Sequence, residues 1–99
     1  MRRLIWTDGA RADFDSAIRY IAADRPIAGR QVGQRILAAA SALAEMPTGR
    51  RGRVVGTYEK VVTGLPYILA YEIDDQDGVV RILHLIHGAR DWPNDSWPD

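Results

Sequence analysis

Tyr67-Ile68-Leu69-Ala70-Tyr71-Glu72-Ile73, Asp74-Asp75-Gln76-Asp77-Gly78 and Val79-Val80-Arg81-Ile82-Leu83-His84-Leu85-Ile86-His87 follow one another without a gap. The first run alternates Tyr67, Leu69, Tyr71 and Ile73 against Ile68, Ala70 and Glu72, the period of a strand. The acidic stretch ending in Gly78 is a hairpin signal. The last run puts Val79, Arg81, Leu83, Leu85 and His87 on one face and Val80, Ile82, His84 and Ile86 on the other. Both faces are largely apolar, which predicts a central strand. Two adjacent strands of this kind need a layer to cover them.

The cover is legible upstream. Arg3 to Trp6 is a short apolar run that ends at Thr7-Asp8, both good helix N-caps. A helix is predicted from about Gly9 to Ala23, with Ala10, Phe14, Ala17, Ile18 and Ile21 on one stripe. Asp24-Arg25-Pro26 breaks it, because proline ends one helix and suits the first turn of the next. The second helix is predicted over Pro26 to Glu45. Its stripe is Ala28, Val32, Ile36, Ala39 or Ala40, Leu43 and Met46, and its many alanines allow a close helix approach. Between the helices and the hairpin lies Thr48 to Arg53, a loop with Arg50, Arg51 and Arg53. Val54 to Val62 follows as a bulged or broken strand, with Gly56 inside it and Gly64-Leu65-Pro66 turning the chain.

The order is β-α-α-β-β-β. Helices followed by strands indicate an α+β fold, one domain with a helical hairpin packed on one face of a small, mainly antiparallel sheet. The 99 residues suit a single domain. Residues 1–92 are taken as that domain and 93–99 as an acidic tail with Trp97 and Pro98. Trp92 is expected at the core edge and Trp97 against a neighbour or loose.

Thirteen basic residues, twelve of them Arg, balance thirteen acidic ones. Asp91, Asp95 and Asp99 close the chain without a base, so residues 1–90 are modestly basic. That is a weak footprint for a protein that coats nucleic acid. The absence of cysteine excludes a disulfide scaffold and a thiolate metal site or nucleophile. No metal spacing or phosphate loop is visible, so no cofactor is expected. The apolar run at the start is too short for a secretory signal, and none could span a bilayer. A soluble, cytoplasmic protein is expected.

Several stretches, taken in order, resemble the RelE/ParE superfamily of toxins from type II toxin–antitoxin systems. They are Ala10-x-x-Asp13-Phe14-x-x-Ala17-Ile18-x-Tyr20-Ile21, Arg25-Pro26-x-Ala28, Met46-Pro47-x-Gly49-Arg50, Tyr67-x-x-x-Tyr71, and the closing Ile82-Leu83-His84-Leu85-Ile86-His87-Gly88-Ala89-Arg90-Asp91-Trp92. The resemblance implies a growth-inhibiting toxin, neutralised by a cognate antitoxin in a hetero-oligomer. Its target would be DNA gyrase, as for ParE-like members, or ribosome-bound mRNA, as for RelE-like ribonucleases. A member without activity of its own, working as an antitoxin-bound partner or corepressor, is the third alternative. The antitoxin is expected to be an amphipathic, acidic segment that wraps the helices or extends the sheet.

The residues bear on that choice. Cleavage of RNA through its 2′-OH needs a base, a cation for the developing charge, and an acid for the leaving oxygen. The resemblance implies that RelE-like enzymes fill these roles mostly with Lys and Arg on the open sheet face, plus a late Tyr. Here the second-strand basic positions fall near Glu59 and Val61, and the Arg after the turn falls at Ile68. Lys60 should point to the opposite face. The late Tyr is replaced in its region by Trp92 or Trp97. Arg90 is the clear match. His87 could serve as base or acid, since imidazole titrates near neutrality. Arg90 and His87 are therefore the catalytic candidates, only in the RelE-like case. Arg81 shares a strand face with His87 but lies roughly 20 Å along it. A histidine ending a buried strand more often makes a structural hydrogen bond. Arg50, Arg51, Arg53, Arg81 and Trp92 are the binding candidates. The alternative for the arginines is pairing with acids of the same fold, with Glu72 set against Arg81. Most of the basic nuclease set is missing, which tilts the expectation toward gyrase.

Overall fold

The structure, a computed structural model, describes residues 1–88 and 96–98. The elements are β1 (Arg3–Trp6), α1 (Asp8–Asp24), α2 (Pro26–Glu45), β2 (Arg50–Arg51), β3 (Tyr58–Val61), β4 (Tyr67–Asp74) and β5 (Val79–His87). The five strands form one sheet in the order β1-β5-β4-β3-β2. β1 runs parallel to β5, and the other pairs are antiparallel. The two helices pack on this mixed sheet, the α+β arrangement expected from the sequence. β5 lies between β1 and β4, as its two apolar faces predict.

Local chemistry sets the helix ends. The Thr7 hydroxyl accepts from Ala10 N at 3.1 Å and caps α1. The same hydroxyl donates to Leu83 O at 3.2 Å, so the cap also ties α1 to β5. Arg25, with φ −138° and ψ 81°, is non-helical and stands between the helices, as the following proline disfavours the helical region for it. Pro26 then opens α2, where its missing N–H costs nothing.

The α2 stripe keeps Ile36, Ala40 and Leu43 as expected, with Ala28 and Val32 half-buried, but it differs at its two ends. Gly29, Gly33, Ile36, Ala40, Leu43 and Ala44 are its buried positions, whereas Met46 is largely exposed. The glycines carry no hydrophobic signal, yet they make the helix contact. A Cβ on Gly29 would come 2.9 Å from Ala22 Cβ, so this glycine and the alanine facing it together let the helices approach closely. The core collects Ala10 from α1, Ile36 and Leu43 from α2, Leu69 and Tyr71 from β4, and Val80 and Ile82 from β5. Trp6 meets Phe14 edge-on, with ring centres 5.7 Å apart, and closes the β1 side.

Three strand expectations are corrected. Val54 to Gly56 is not strand: Val55 is exposed and Gly56 turns with φ +84°. The arginine loop is not wholly loop, because Arg50 and Arg51 pair with Glu59 and Tyr58. The third correction concerns β5. The β4–β5 register slips between Ala70 and Tyr71, which face His84 and Ile82. The extra residue is a β-bulge, and it shifts the alternation. Leu85 therefore joins Val80 and Ile82 in the core instead of lying with Arg81.

Candidate functional site

A cleft lies beside the bulge. It opens between α1 and the end of β5, with a volume of about 980 Å³. Asp13, on the α1 wall, accepts from Leu85 N at 3.1 Å and meets His84 Nδ1 at 3.1 Å through the same oxygen. A carboxylate can only accept, so neutral His84 carries its proton on Nδ1. Asp13 thus fixes the imidazole and supplies a partner to a backbone N–H next to the irregular part of the ladder. Trp97 lies over His84, ring centres 4.7 Å apart. His87 meets Tyr67 edge-on at 5.4 Å on the same cleft. Among the described residues, no Lys or Arg lines it.

Asp13→Ala would leave Leu85 N without its acceptor and His84 without its anchor. The expected loss is about 1–3 kcal/mol. Asp13→Asn, which keeps an acceptor, should recover a large share. Urea unfolding of the three proteins measures this; equal losses for Ala and Asn would contradict the role given to the oxygen.

The basic candidates lie elsewhere. Glu59 is buried on β3, 2% exposed. It accepts from Arg53 N at 3.0 Å, Arg53 Nε at 3.3 Å and Arg50 Nη2 at 3.4 Å. Two of the three loop arginines thus hold an internal carboxylate. Arg51 is exposed. Arg81 Nη1 donates to Glu72 at 2.6 Å directly across the β4–β5 ladder, the pairing anticipated from the sequence. Lys60 pairs in register with Leu69, a core residue, and so lies on the face opposite Glu59. Arg90 and Trp92 fall outside the described residues. The structure brings His87 together with Tyr67 and the cleft, but with neither Arg81 nor the arginine loop.

Tyr71 is the other chemical group of note. Its hydroxyl donates to Thr48 O, and its ring stacks on Tyr58 with centres 5.6 Å apart. Burial pushes its phenol above the ordinary 10.0, and the neighbouring Tyr58 adds to the rise. It joins the core to the start of the arginine loop, a structural duty.

Sequence reasoning passed over Asp13 and Tyr71 as site residues, although both stand in the motifs quoted above. No group of three His, Asp or Glu that could hold a metal occurs among the described residues. Nor is any helix there long and apolar enough to cross a membrane.

Comparison with known proteins places the whole arrangement. Residues 4–92 match the family described as the ParE toxin of the type II toxin–antitoxin system parDE. The chain belongs to the ParE toxin family. Y4kP of Sinorhizobium fredii (strain NGR234) is 40% identical over 93 residues, 93% of this chain and 94% of that protein. The toxin RelE2 of Caulobacter vibrioides is 35% identical over 91 residues, 91% of this chain and 99% of that one. Among solved structures, a chain of the chromosomal ParDE system from P. aeruginosa superposes with a TM-score of 0.78. It covers 88% of this chain and 96% of that one, and at 22% identity it shows a shared fold. A chain of the RelBE2 toxin–antitoxin complex from Mycobacterium tuberculosis gives 0.52 at 26% identity, over 90% and 93% of the two chains. This ParE-family chain is the toxin of a type II toxin–antitoxin system, with the two-helix, five-strand fold described above.

Proposed function

We propose that this toxin arrests growth by binding and inhibiting DNA gyrase, in the cytoplasm, and that it does not cleave RNA. One observation carries the choice. Arg50, Arg53 and Arg81, three of the candidate arginines, are each tied to a carboxylate of the fold and do not line the cleft that holds both histidines. A phosphate in transit through a charged transition state needs a cation. A protein target suits the molecule better than an RNA backbone, given its zero formal net charge. Its partner in the resting cell is the antitoxin of its system. Exposed Arg51, with Trp92 beyond the described residues, belongs on this reading to the contact surface.

Controlled expression in bacteria with pulse-labelling tests the target. DNA synthesis should fail first, with translation initially intact, and purified toxin should inhibit gyrase supercoiling. The double substitution His87→Ala, Arg90→Ala should leave toxicity within about threefold of wild type, since no chemical step depends on it. Early arrest of translation, with a loss of a hundredfold or more in the double variant, would support the RelE-like alternative. Growth that never falters would support the silent partner instead.

A further inference from the structure

The α1–β5 cleft is occupied by the chain itself. Ser96, Trp97 and Pro98 form part of its wall, and Trp97 rests on the His84 ring that Asp13 holds in place. The fit is incomplete in two respects. The Trp97 Nε1 is buried and has no hydrogen-bond acceptor among the described residues. A volume of about 980 Å³ also remains open around it. An indole lodged with its N–H unpaired is a poor final occupant, because the desolvated donor weakens the docking that the ring favours. Tyr20, on the same wall, is 83% exposed and extends the aromatic surface outward.

We propose that this cleft receives an aromatic side chain of the antitoxin, with Trp97 as its intramolecular competitor. The proposal rests on the antitoxin partnership and adds the place and the chemistry of the contact. A phenyl ring reproduces the tilted ring contact with His84 without an indole N–H to strand. The lining lacks Lys and Arg among the described residues, so the neutral ring enters and the charged groups of the antitoxin segment stay outside. Trp97 occupies the aromatic site until the segment arrives, and its buried, unpaired N–H makes the exchange favourable.

Competition gives opposite signs for two changes at one position. Trp97→Ala empties the seat and should tighten binding of the purified cognate antitoxin about tenfold by calorimetry. Trp97→Phe keeps a ring, removes the stranded N–H, and should weaken antitoxin binding severalfold. Ser16→Phe, at an exposed position on the wall, should block the cleft and weaken binding tenfold or more, with unchanged circular dichroism to certify the fold. In 5-fluorotryptophan-labelled wild type, the resonance missing from Trp97→Ala should move to its solvent-exposed position when antitoxin is added. Unchanged or weakened binding by Trp97→Ala overturns the competition, and unchanged binding by Ser16→Phe overturns the site. Wild-type toxin that binds no antitoxin overturns the partnership itself and removes the proposed occupant with it.

Discussion

Tyr71→Ala should cost the fold about 3–5 kcal/mol, the range for removing a large aromatic side chain from a packed core. Tyr71 is 1% exposed and belongs to the core that the helices share with the sheet. Its ring stacks on Tyr58, and its hydroxyl donates to Thr48 O just before the arginine loop. Truncation opens a void under the helices and releases that loop together. Domains of this size carry about 5–15 kcal/mol in total, so the loss is a large part of the margin. At about 4–8 °C per kcal/mol, the melting temperature should fall by well over 10 °C. A decrease below about 1 kcal/mol would mean that the ring is not the packing centre its burial indicates.

Tyr71→Phe separates the hydroxyl from the ring. Thr48 is exposed, so its carbonyl can turn to water, and the expected loss is only about 0.5–1.5 kcal/mol. The pH dependence is more telling. Burial raises the native phenol above 10.0, so the unfolded chain gives up this proton first. Between the unfolded and native values the native state binds more protons, and stability falls as pH rises. The contribution is intact below 10.0 and is lost progressively above it. Wild type should therefore destabilise more steeply than Tyr71→Phe between pH 9 and 11, with urea midpoints as the measurement. Parallel curves would show that the other tyrosines account for the slope.

The sequence carried the layer order because the punctuation is local. Thr7 and Pro26 act on their own neighbours, so both helix starts could be read from composition and capping rules. Val79 to His87 could be placed at the sheet's centre because its apolar faces need cover on both sides. What escaped was long-range or silent in hydropathy. Gly29 makes its helix contact through the absence of a side chain. β2 is two exposed arginines, recognisable as a strand only once β3 lies beside them. The bulge in β5 leaves no mark in an alternating string, yet it moves Leu85 to the core and positions its N–H for Asp13. That is why Asp13 looked like an ordinary polar residue of an amphipathic helix. The ion pairs were half legible. Glu72 and Arg81 could be matched by strand geometry, whereas Glu59 recruits Arg53 across a turn whose shape the sequence did not disclose.

Glu59→Ala is expected to cost about 3 kcal/mol, because one buried carboxylate organises a whole corner of the sheet. The side chain accepts from a backbone N–H and from two guanidinium groups. Removing it leaves Arg53 N without its acceptor and a cavity beside Ala70, its neighbour across the β3–β4 ladder. The guanidinium of Arg50 is mostly exposed and turns to water at little cost, so its share is small. Arg53, 26% exposed, loses more. Glu59→Gln retains an acceptor without the charge and should lose about half as much. The comparison also separates structure from recognition. In Glu59→Gln both arginines remain on a folded loop but are less firmly held, whereas in Arg50→Ala, Arg53→Ala the carboxylate stays buried without its cations. If the arginines serve only Glu59, toxicity should follow residual stability across all these variants, measured by urea unfolding beside growth inhibition. If they also touch the target, the double arginine variant should lose toxicity far beyond its loss of stability. A Glu59→Ala protein as stable as wild type would contradict the buried network altogether.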